Sequence, residues 1–398
     1  MSILNKIKLK VFAVLKKSNL FNKIQDVYRK IFFKTVGLKD VILFESNPDF
    51  SDNTLFVFNE MVKRGINEKY KFIWVLNSKS NLNSDVFSNV KNVKLVYRDT
   101  LKFRMYYSHI AKVSLIGNMF FHQIYDKQLH IYLAHGGAFK RTLYYILPRT
   151  YKNASVISIS NFLADYDSIN LDCSRDIIKP LGFPRNDLLV NSQLDLNTLF
   201  STDNCKFIYW MPTYRTNSSI HCSDVAMPII HNESDAEAVN EIAKKNNVFI
   251  IVKPHFAQDL DNIKMLTLSN IIFIDNDYLK KKNIENYALL GSCDALLTDY
   301  SSVYYDYLIC NKPIGLCWED FEQYSQNNGF VLDPNDIMSP GEKIMNIDDM
   351  QKFIEHIAGG IDINKAQREK MRDRIHDFVD GNSTKRVVDY ICSVLNNE

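Results

Sequence analysis

The 398-residue sequence lacks the glycine-rich loops that mark two large classes of nucleotide-binding protein. Neither a GxxxxGK[ST] loop nor a GxGxxG turn occurs, which weighs against a P-loop nucleotide hydrolase and against a dinucleotide-dependent dehydrogenase. No apolar run approaches the ~20 residues of a membrane-spanning helix. The lysine-rich start of the chain also lacks the uninterrupted apolar core of a signal peptide. These absences favour a protein that is made and kept in the cytoplasm.

The cysteines give no sign of a disulfide framework or a structural zinc site. They number seven, are scattered, and include no CxxC pair. Two DxD-like triplets, Asp165-Tyr-Asp167 and Asp275-Asn-Asp277, match that short pattern by chance as readily as by function. No resident cofactor or metal is therefore predicted, and a requirement for a divalent metal is left open. The aromatic residues are spread through strand-like runs, so no nucleic-acid partner is predicted either.

Positive charge is concentrated at the start of the chain. Residues 1–39 contain ten lysines or arginines and one acid, Asp26, and so carry a net charge of +9. Because the whole chain has a net charge of +2, the remaining residues carry a net charge of −7. Apolar residues recur between these lysines at helical spacing, which predicts two basic amphipathic helices. Such helices bind anionic membrane surfaces, so residues 1–39 are predicted to attach the protein peripherally to the cytoplasmic face of the cell membrane. The alternative is that their apolar face packs on the body of the protein.

From residue 40 onward, short apolar runs alternate with amphipathic helical segments, which predicts parallel sheets covered by helices. Six strands are predicted between residues 41 and 159 and five between residues 207 and 317, separated by the polar stretch Asn191–Asn204. The predicted fold class is α/β and GT-B-like. It has two Rossmann-like domains, at residues 40–195 and 196–398, with a cleft between them and helices closing the second. In such sheets ligands bind beyond the carboxyl ends of the strands.

The stretch Ala295–Pro313 contains the most informative of these strand ends. An apolar run is followed by Thr298-Asp299-Tyr300-Ser301-Ser302 and by an amphipathic segment. This pattern predicts a strand, a turn and a helix. Backbone N–H groups and the hydroxyls of Ser301 and Ser302 would then be available to an anion such as phosphate. The alternative is a well-capped helix without a ligand.

A second cluster, Ala134–Arg141, follows another predicted strand. It contains His135, two glycines and two cationic residues. Glycine allows the backbone to approach a ligand closely, and a histidine can exchange a proton near neutral pH. The alternative is a turn histidine that donates to a backbone carbonyl.

Cationic side chains also follow two strands of the second half of the chain. Arg215 comes after Pro212-Thr213, and Lys253 and His255 flank Pro254. Cations that converge on one sheet edge could hold a diphosphate, with arginine capable of bidentate contact. Taken singly, each could be a solvated charge at the edge.

Together these motifs resemble the CDP-glycerol glycerophosphotransferase family, which builds teichoic acids and related capsule polymers. The matching segments span most of the chain from Val41 to Arg386: Phe44-Glu45-Ser46, Ser51-Asp52-Asn53, His135-Gly136, Gly182-Phe183-Pro184-Arg185-Asn186-Asp187, Pro212-Thr213-Tyr214-Arg215, Lys253-Pro254-His255, Thr298-Asp299-Tyr300-Ser301-Ser302, Asn311-Lys312-Pro313 and Gly329-Phe330.

The resemblance implies transfer of a polyol phosphate from CDP-glycerol or CDP-ribitol to a hydroxyl of a lipid-linked or oligosaccharide acceptor, with release of CMP. It implies that His135 is the general base, and that His255 and Asp299 complete the catalytic set. Asp299 would orient a histidine or contact the donor. The implied donor-binding residues are Gly136, Lys140, Arg185, Thr213, Arg215, Lys253, Ser301 and Ser302.

Two departures from the family pattern bear on the donor. The family usually has Thr-Pro after His-Gly, where this chain has Gly137-Ala138, and an arginine before the Gly-Phe element, where Asn328 stands. The transferred polyol is therefore left open between glycerol, ribitol and another CDP-activated group. Two other functions are kept as alternatives: a GT-B glycosyltransferase that uses a nucleotide sugar, and a membrane-associated scaffold without activity.

Overall fold

The structure is a computed structural model that describes residues 27–28, 31–32, 35–121, 123–141, 151–213, 227–254 and 266–396. The chain divides into two compact units. One comprises Met1–Leu133 with Pro148–Ser155, and the other comprises Ala134–Leu147 with Val156–Glu398. The predicted domain limits at residues 39/40 and 195/196 remain a prediction.

The first sheet has seven strands in the order β3-β2-β1-β4-β5-β6-β7. Buried apolar residues dominate its central strands, as expected for strands covered on both faces. Its strands are β1 (Lys39–Glu45), β2 (Lys71–Leu76), β3 (Val93–Tyr97), β4 (Ala111–Ile116), β5 (Leu129–Tyr132), β6 (Ala154–Ser158) and β7 (Ile178–Pro180).

The second sheet has six strands in the order β10-β9-β8-β11-β12-β13. Apart from Lys206 at the start of β8, its central strands are buried, and residues such as Ile208, Ile250 and Leu297 form a core with the covering helices. Its strands are β8 (Lys206–Trp210), β9 (Val248–Val252), β10 (Ile271–Phe273), β11 (Ala295–Thr298), β12 (Ile314–Cys317) and β13 (Glu342–Ile344).

Each sheet thus has the doubly wound strand order 3-2-1-4-5-6, and the first sheet has one additional strand at its end. The strand pairs described in both sheets are parallel. The order reverses between β1 and β4 in the first sheet and between β8 and β11 in the second. A crevice for a ligand is expected at such reversal points. The predicted α/β class with two parallel sheets is confirmed.

Most of the described helices lie between these strands, and the last three follow β13. They are α1 (Asp52–Lys63), α2 (Ile66–Lys69), α3 (Ser108–Ile110), α4 (Asn161–Asn170), α5 (Asp187–Asn191), α6 (Leu196–Phe200), α7 (Glu233–Lys245), α8 (Asn276–Lys282), α9 (Asn286–Ser292), α10 (Val303–Tyr307), α11 (Phe321–Asn328), α12 (Pro334–Ile337), α13 (Ile347–Gly359), α14 (Lys365–Ile375) and α15 (Ser383–Asn396). Short 3-10 turns occur at Lys79–Asn83, Arg175–Ile177, Pro184–Asn186 and Leu308–Cys310, and a π-helical turn at Phe103–Tyr107.

Two strands were missing from the sequence-based prediction. They are β7 and β13, the last strand of each sheet, and each has only three residues. An edge strand pairs on one side only and needs no apolar run, so these two leave a weak sequence pattern. The sequence pattern also predicts a helix at Leu101–Ala111. Residues 101–110 are helical, with a π-helical turn at Phe103–Tyr107, and Ala111 already belongs to β4.

The basic amphipathic helices predicted for residues 1–39 lie largely outside the described residues. Of this segment, Tyr28 and Phe32 pack on the first unit: the Tyr28 hydroxyl donates to the Met105 carbonyl at 2.6 Å, and both rings contact His109 edge-on. Val27 and Ile31 are instead exposed, by 56% and 58%. In the part of the chain that the structure describes, no helix is both long and apolar enough to cross a membrane.

Candidate active site

Three adjacent strands of the second sheet end in predicted site residues. In the order β9, β8, β11, their carboxyl ends lead into Lys253, Thr213 and Asp299. Because the strands are parallel, these residues lie along one edge of the sheet, at the point where the strand order reverses. The structure therefore brings together the motifs after β9, β8 and β11. The neighbouring Arg215 and His255 lie outside the described residues.

Asp299 fixes the segment that follows β8. Its carboxylate is fully buried and accepts the backbone N–H of Thr213, at 3.0 Å to each oxygen, and also the Thr213 hydroxyl. A carboxylate that accepts several hydrogen bonds holds its partner in a defined place. Asp299 thus fixes the position of Thr213 across the reversal point. Its predicted role beside a histidine or the donor stays a prediction.

The turn after β11 leads into a short helix. The helix α10 has five residues, starts after Ser302 and continues as the 3-10 turn Leu308–Cys310. The Ser302 side chain makes no capping hydrogen bond, while the Ser301 hydroxyl accepts the N–H of Val303 at 3.4 Å. The sequence allows either Ser301 or Ser302 as the N-cap of this helix, and the Ser302 hydroxyl is not used as the cap.

The loop Ala134–Lys140, which carries His135, packs against this turn. A Cβ atom added at Gly136 would lie 2.5 Å from the Ser302 hydroxyl oxygen, closer than real Cβ contacts. Only glycine therefore fits at position 136 without displacing Ser302. The two strongest motifs of the sequence, His-Gly and Thr-Asp-Tyr-Ser-Ser, therefore meet at Gly136 and Ser302 within the second unit.

Several contacts set the course of this loop. Ala134 has a left-handed backbone with φ of 57°, which turns the chain directly before His135. Ala138 donates its N–H to Asp167 at 3.0 Å. Farther on, Lys140 forms an antiparallel bridge with Phe330, and the Val331 N–H donates to the Phe139 carbonyl at 3.0 Å. The loop is thereby joined to the Gly-Phe element of the family pattern.

The cationic donor-binding candidates differ in their surroundings. Lys253 is partly buried, and this burial lowers its pKa, partly offset by the negative charge of Asp275. The Lys140 ammonium lies 5.3 Å from the centre of the Tyr324 ring. Both remain predicted donor ligands.

Arg185 is buried, with 6% of its surface exposed, and its guanidinium lies 2.7 Å from a carboxylate oxygen of Asp306. The same carboxylate accepts the Asn186 amide at 2.9 Å and the Tyr287 hydroxyl at 2.6 Å. Arg185 therefore holds α10 in place through the buried carboxylate of Asp306, a role that was not predicted from the sequence. Its assignment to donor binding stays a prediction. The sequence signals this contact only by Asp306, an acid early in the predicted helix, where the helix dipole alone also favours a carboxylate.

Two further polar residues that shape the site were not singled out from the sequence. Asp167 was noticed only as part of a DxD triplet, whereas the structure shows it buried beneath the His135 loop. Asn53 is fully buried in the first unit, and its amide donates to the carbonyl of Leu133 at 3.1 Å. That carbonyl lies two residues before His135. This contact gives a structural reason for the Ser51-Asp52-Asn53 motif.

Comparison with known proteins identifies several teichoic acid enzymes as relatives. A teichoic acid poly(glycerol phosphate) polymerase from Bacillus spizizenii is 23% identical, over 94% of this chain and 99% of its own. A poly(ribitol-phosphate) polymerase from the same organism is 25% identical, over 94% of this chain and 59% of its own. The match to a glycerol-phosphate primase from Bacillus subtilis, 26% identical, covers 48% of this chain and 44% of the primase. The chain therefore spans only about half the length of some of these relatives.

Solved structures confirm the fold. The wall teichoic acid polymerase TagF superposes with a TM-score of 0.72 at 18% identity, over 100% of this chain and 99% of that one. A UDP-N-acetylglucosamine 2-epimerase from Listeria monocytogenes superposes with a TM-score of 0.54 at 13% identity, over 90% and 96%. Both show the same two-sheet α/β architecture.

The family model for CDP-glycerol:poly(glycerophosphate) glycerophosphotransferases matches residues 27–393. This match covers most of the chain and includes every motif that carried the resemblance. It confirms the family and the transferase class predicted from the sequence, with polyol-phosphate transfer as the reaction of that class. The chain therefore belongs to the CDP-glycerol:poly(glycerophosphate) glycerophosphotransferase family.

Proposed function

We propose that this protein transfers glycerol phosphate or ribitol phosphate from the CDP-linked polyol to a hydroxyl of a lipid-linked or polymer acceptor in teichoic acid-like or capsule polymer synthesis. The observation that carries the proposal is the packing of the His135 loop against the Ser301–Ser302 turn, where the strand order of the second sheet reverses. A proton acceptor and a set of anion-binding groups thereby belong to one site.

In this proposal the donor diphosphate lies along the carboxyl ends of β9, β8 and β11. Lys253 supplies a positive charge in partly buried surroundings, where electrostatic attraction is less screened than in water. The hydroxyls of Ser301 and Ser302 and the backbone around Gly136 supply hydrogen bonds at close range. Thr213, held by Asp299, completes the edge, and Arg215 and His255 follow it in sequence.

The chemical step is a displacement at phosphorus. The acceptor hydroxyl oxygen attacks the phosphorus that bears the polyol, and its proton passes to the His135 imidazole. The bond from this phosphorus to the bridging oxygen breaks, and CMP leaves with that oxygen and its electron pair. Phosphoryl transfer depends chiefly on positioning and on charge stabilisation, so cations along the donor phosphates would lower the barrier.

The relatives support both polyols, since enzymes named for glycerol phosphate and for ribitol phosphate match this chain. A TagF variant was solved after a soak with CDPG. The experiment is to incubate the purified protein with CDP-glycerol and CDP-ribitol separately, with a membrane extract as acceptor, and to quantify CMP. Release from one donor would identify the polyol. No release from either, together with consumption of a UDP-sugar, would contradict the proposal in favour of the nucleotide-sugar alternative.

The role of His135 has its own test. His135→Ala should lower kcat by ~10²–10⁴-fold, the usual contribution of general acid–base catalysis, and a loss below about tenfold would contradict the assignment. His356→Ala is the matched control. His356 lies on α13, its Nδ1 is 2.8 Å from a carboxylate oxygen of Glu342, and it is not part of the proposed site.

We further propose that residues 1–39 attach the enzyme to an anionic membrane. The segment carries a charge of +9. Val27 and Ile31, one helical turn apart, are exposed, whereas Tyr28 and Phe32 are packed on the first unit. In this proposal Val27 and Ile31 face the membrane, while Tyr28 and Phe32 hold the segment to the first unit.

Vesicle sedimentation tests this attachment. The protein should bind phosphatidylglycerol vesicles and not phosphatidylcholine vesicles, and Val27→Ser with Ile31→Ser should weaken binding. Ile361→Ser with Ile363→Ser is the matched control, because these isoleucines are 48% and 60% exposed near the other end of the chain. Equal binding to both vesicle types would contradict the proposal.

A further inference from the structure

The His135 loop has one anchor outside the predicted site residues, at Ala138. The Ala138 N–H donates to one carboxylate oxygen of Asp167 at 3.0 Å. The other carboxylate oxygen accepts the hydroxyl of Ser158, the last residue of β6. Asp167 thus connects the end of a strand to the loop, with one oxygen for each.

The helix that carries Asp167 is itself firmly placed. The Ser160 hydroxyl caps α4 by accepting the Leu163 N–H at 3.2 Å. At the same end, the Asp377 carboxylate accepts both the backbone N–H and the side-chain amide of Asn161, at 2.9 and 2.8 Å. The Asp167 side chain is therefore presented from a fixed support.

Asp167 is 7% exposed, so its carboxylate is largely removed from water. Burial raises the pKa of Asp167 to about 6, against the hydrogen bonds from Ser158 and Ala138, which lower it. A buried carboxylate is costly unless its hydrogen bonds compensate for lost hydration. The two donors at Asp167 offset part of that cost, and both of them are lost if the carboxylate is removed.

Position 138 is also where the chain departs from the family pattern. Proline has no backbone N–H, so a proline at position 138 could not donate to Asp167. Ala138 can, and the preceding Gly137 fits tightly, since a Cβ there would lie 3.2–3.4 Å from Ile159, Tyr305 and Leu163. At position 138 this chain therefore holds the loop by the hydrogen bond from Ala138 to Asp167, whereas the proline of the family pattern would restrict the backbone itself.

We propose that Asp167 is a positioning residue for the transfer reaction: by holding Ala138, it fixes the loop that presents His135 to the acceptor hydroxyl. The inference rests on the proposed role of His135. Asp167 acts through the loop and does not touch the reacting atoms.

The test compares two substitutions by their effect on CMP release. Asp167→Asn keeps an oxygen that can accept the Ala138 N–H and an amide that can donate to Ser158, so its kcat should stay within about threefold of wild type. Asp167→Ala removes the acceptor, and its kcat should fall by ~10–100-fold, because displacing a catalytic group by about 1 Å can cost 10²-fold. The KM for the CDP-polyol should change less than kcat in both variants, since most of the proposed donor contacts lie after β8, β9 and β11, and only Gly136 and Lys140 belong to this loop. Asp165→Ala is the matched control, because Asp165 lies on the same helix but its side chain is 69% exposed and pairs with Arg175.

A double-mutant cycle shows whether Asp167 acts through His135. In a His135→Ala background, Asp167→Ala should change kcat by less than about twofold, because residues that act as a unit are not additive. If the fold-losses in kcat of the two single variants multiply in the double variant, the inference is overturned. It is also overturned if Asp167→Ala has the kcat of wild type, or if its KM rises while its kcat is unchanged. If His135→Ala itself keeps its activity, the proposed function of His135 fails and the inference falls with it. If His135→Ala loses activity but Asp167→Ala keeps the kcat of wild type, the inference is overturned and the proposed function of His135 stands.

Discussion

A buried histidine in the first sheet makes the stability of this protein depend on pH in a calculable way. His130 lies in β5, is 3% exposed, and neither of its ring nitrogens has a hydrogen-bond partner among the described residues. Its ring stacks on Tyr151 with 4.4 Å between centres and 13° between planes. Burial lowers the pKa of His130 to about 4.

The sign follows from linkage between protonation and folding. The unfolded chain binds the proton near the ordinary histidine pKa of ~6.5, whereas folded His130 binds it only near pH 4. The stability held by neutral His130 is therefore fully present above pH 6.5 and is lost as the pH falls toward 4. The full loss is about 3 kcal/mol, at about 1.4 kcal/mol for each pH unit between the two pKa values. Between pH 7 and pH 5 the loss is about 2 kcal/mol.

The substitution His130→Phe keeps an aromatic ring on Tyr151 and removes the titration. We expect it to cost little at pH 7 and to make the protein about 2 kcal/mol more stable than wild type at pH 5. The assay is urea unfolding at both pH values, followed by fluorescence and circular dichroism. Other titrating groups cancel in the comparison of variants. Their effects include that of Asp167, whose raised pKa acts in the opposite direction.

The control is the same comparison between pH 8 and pH 7, where His130 is neutral in both states and the stability difference between wild type and His130→Phe should stay constant. The reasoning would be refuted if wild type and His130→Phe lost the same stability between pH 7 and pH 5.

Three further predictions concern contacts of the second unit. Arg185→Ala leaves the Asp306 carboxylate buried without its cation, and urea unfolding should show a loss of about 3–5 kcal/mol; a loss below about 1 kcal/mol would mean that the pair is solvated. Gly136→Ala places a Cβ 2.5 Å from the Ser302 hydroxyl oxygen, so kcat/KM for CMP release should fall at least ~10-fold; unchanged kinetics would show that the Ser302 hydroxyl turns away from the added Cβ without cost. Asp299→Asn replaces one of the two carboxylate oxygens that accept the Thr213 N–H with an NH₂ group, which cannot accept. Thr213 is then held less firmly and kcat/KM should fall by ~10-fold; unchanged kinetics would show that Thr213 is held by other contacts.

Most of the fold could be predicted from the sequence because buried parallel strands leave a local pattern. The runs Val248–Val252 and Ile314–Cys317 coincide with β9 and β12, since strands covered on both faces must be apolar along their length. The order of strands and helices then restricts the topology, because connections between parallel strands follow one handedness. The carboxyl-end position of Thr213, Lys253 and Asp299 follows from this local order alone.

The contacts that shape the site could not be obtained in the same way. Gly136 approaches Ser302, and Arg185 pairs with Asp306, across more than a hundred residues. Such pairs depend on how helices and loops pack on the sheet, and nothing in the neighbouring sequence distinguishes a buried ion-pair partner from a solvated charge. Asp167 is the clearest example, because the same aspartate is a chance triplet in the sequence and an anchor of the His135 loop in the structure.

The sequence by itself therefore determined the α/β class, the strand ends that carry polar groups, and the family, since each depends on local patterns and ordered motifs. Only the tertiary structure decided which of these groups meet. It joined the His135 loop to the Ser301–Ser302 turn and fixed Thr213 to Asp299. It also buried Arg185 behind α10. The physical reason is that close packing and hydrogen-bond pairing are satisfied between distant segments, and they are set only when the whole unit folds.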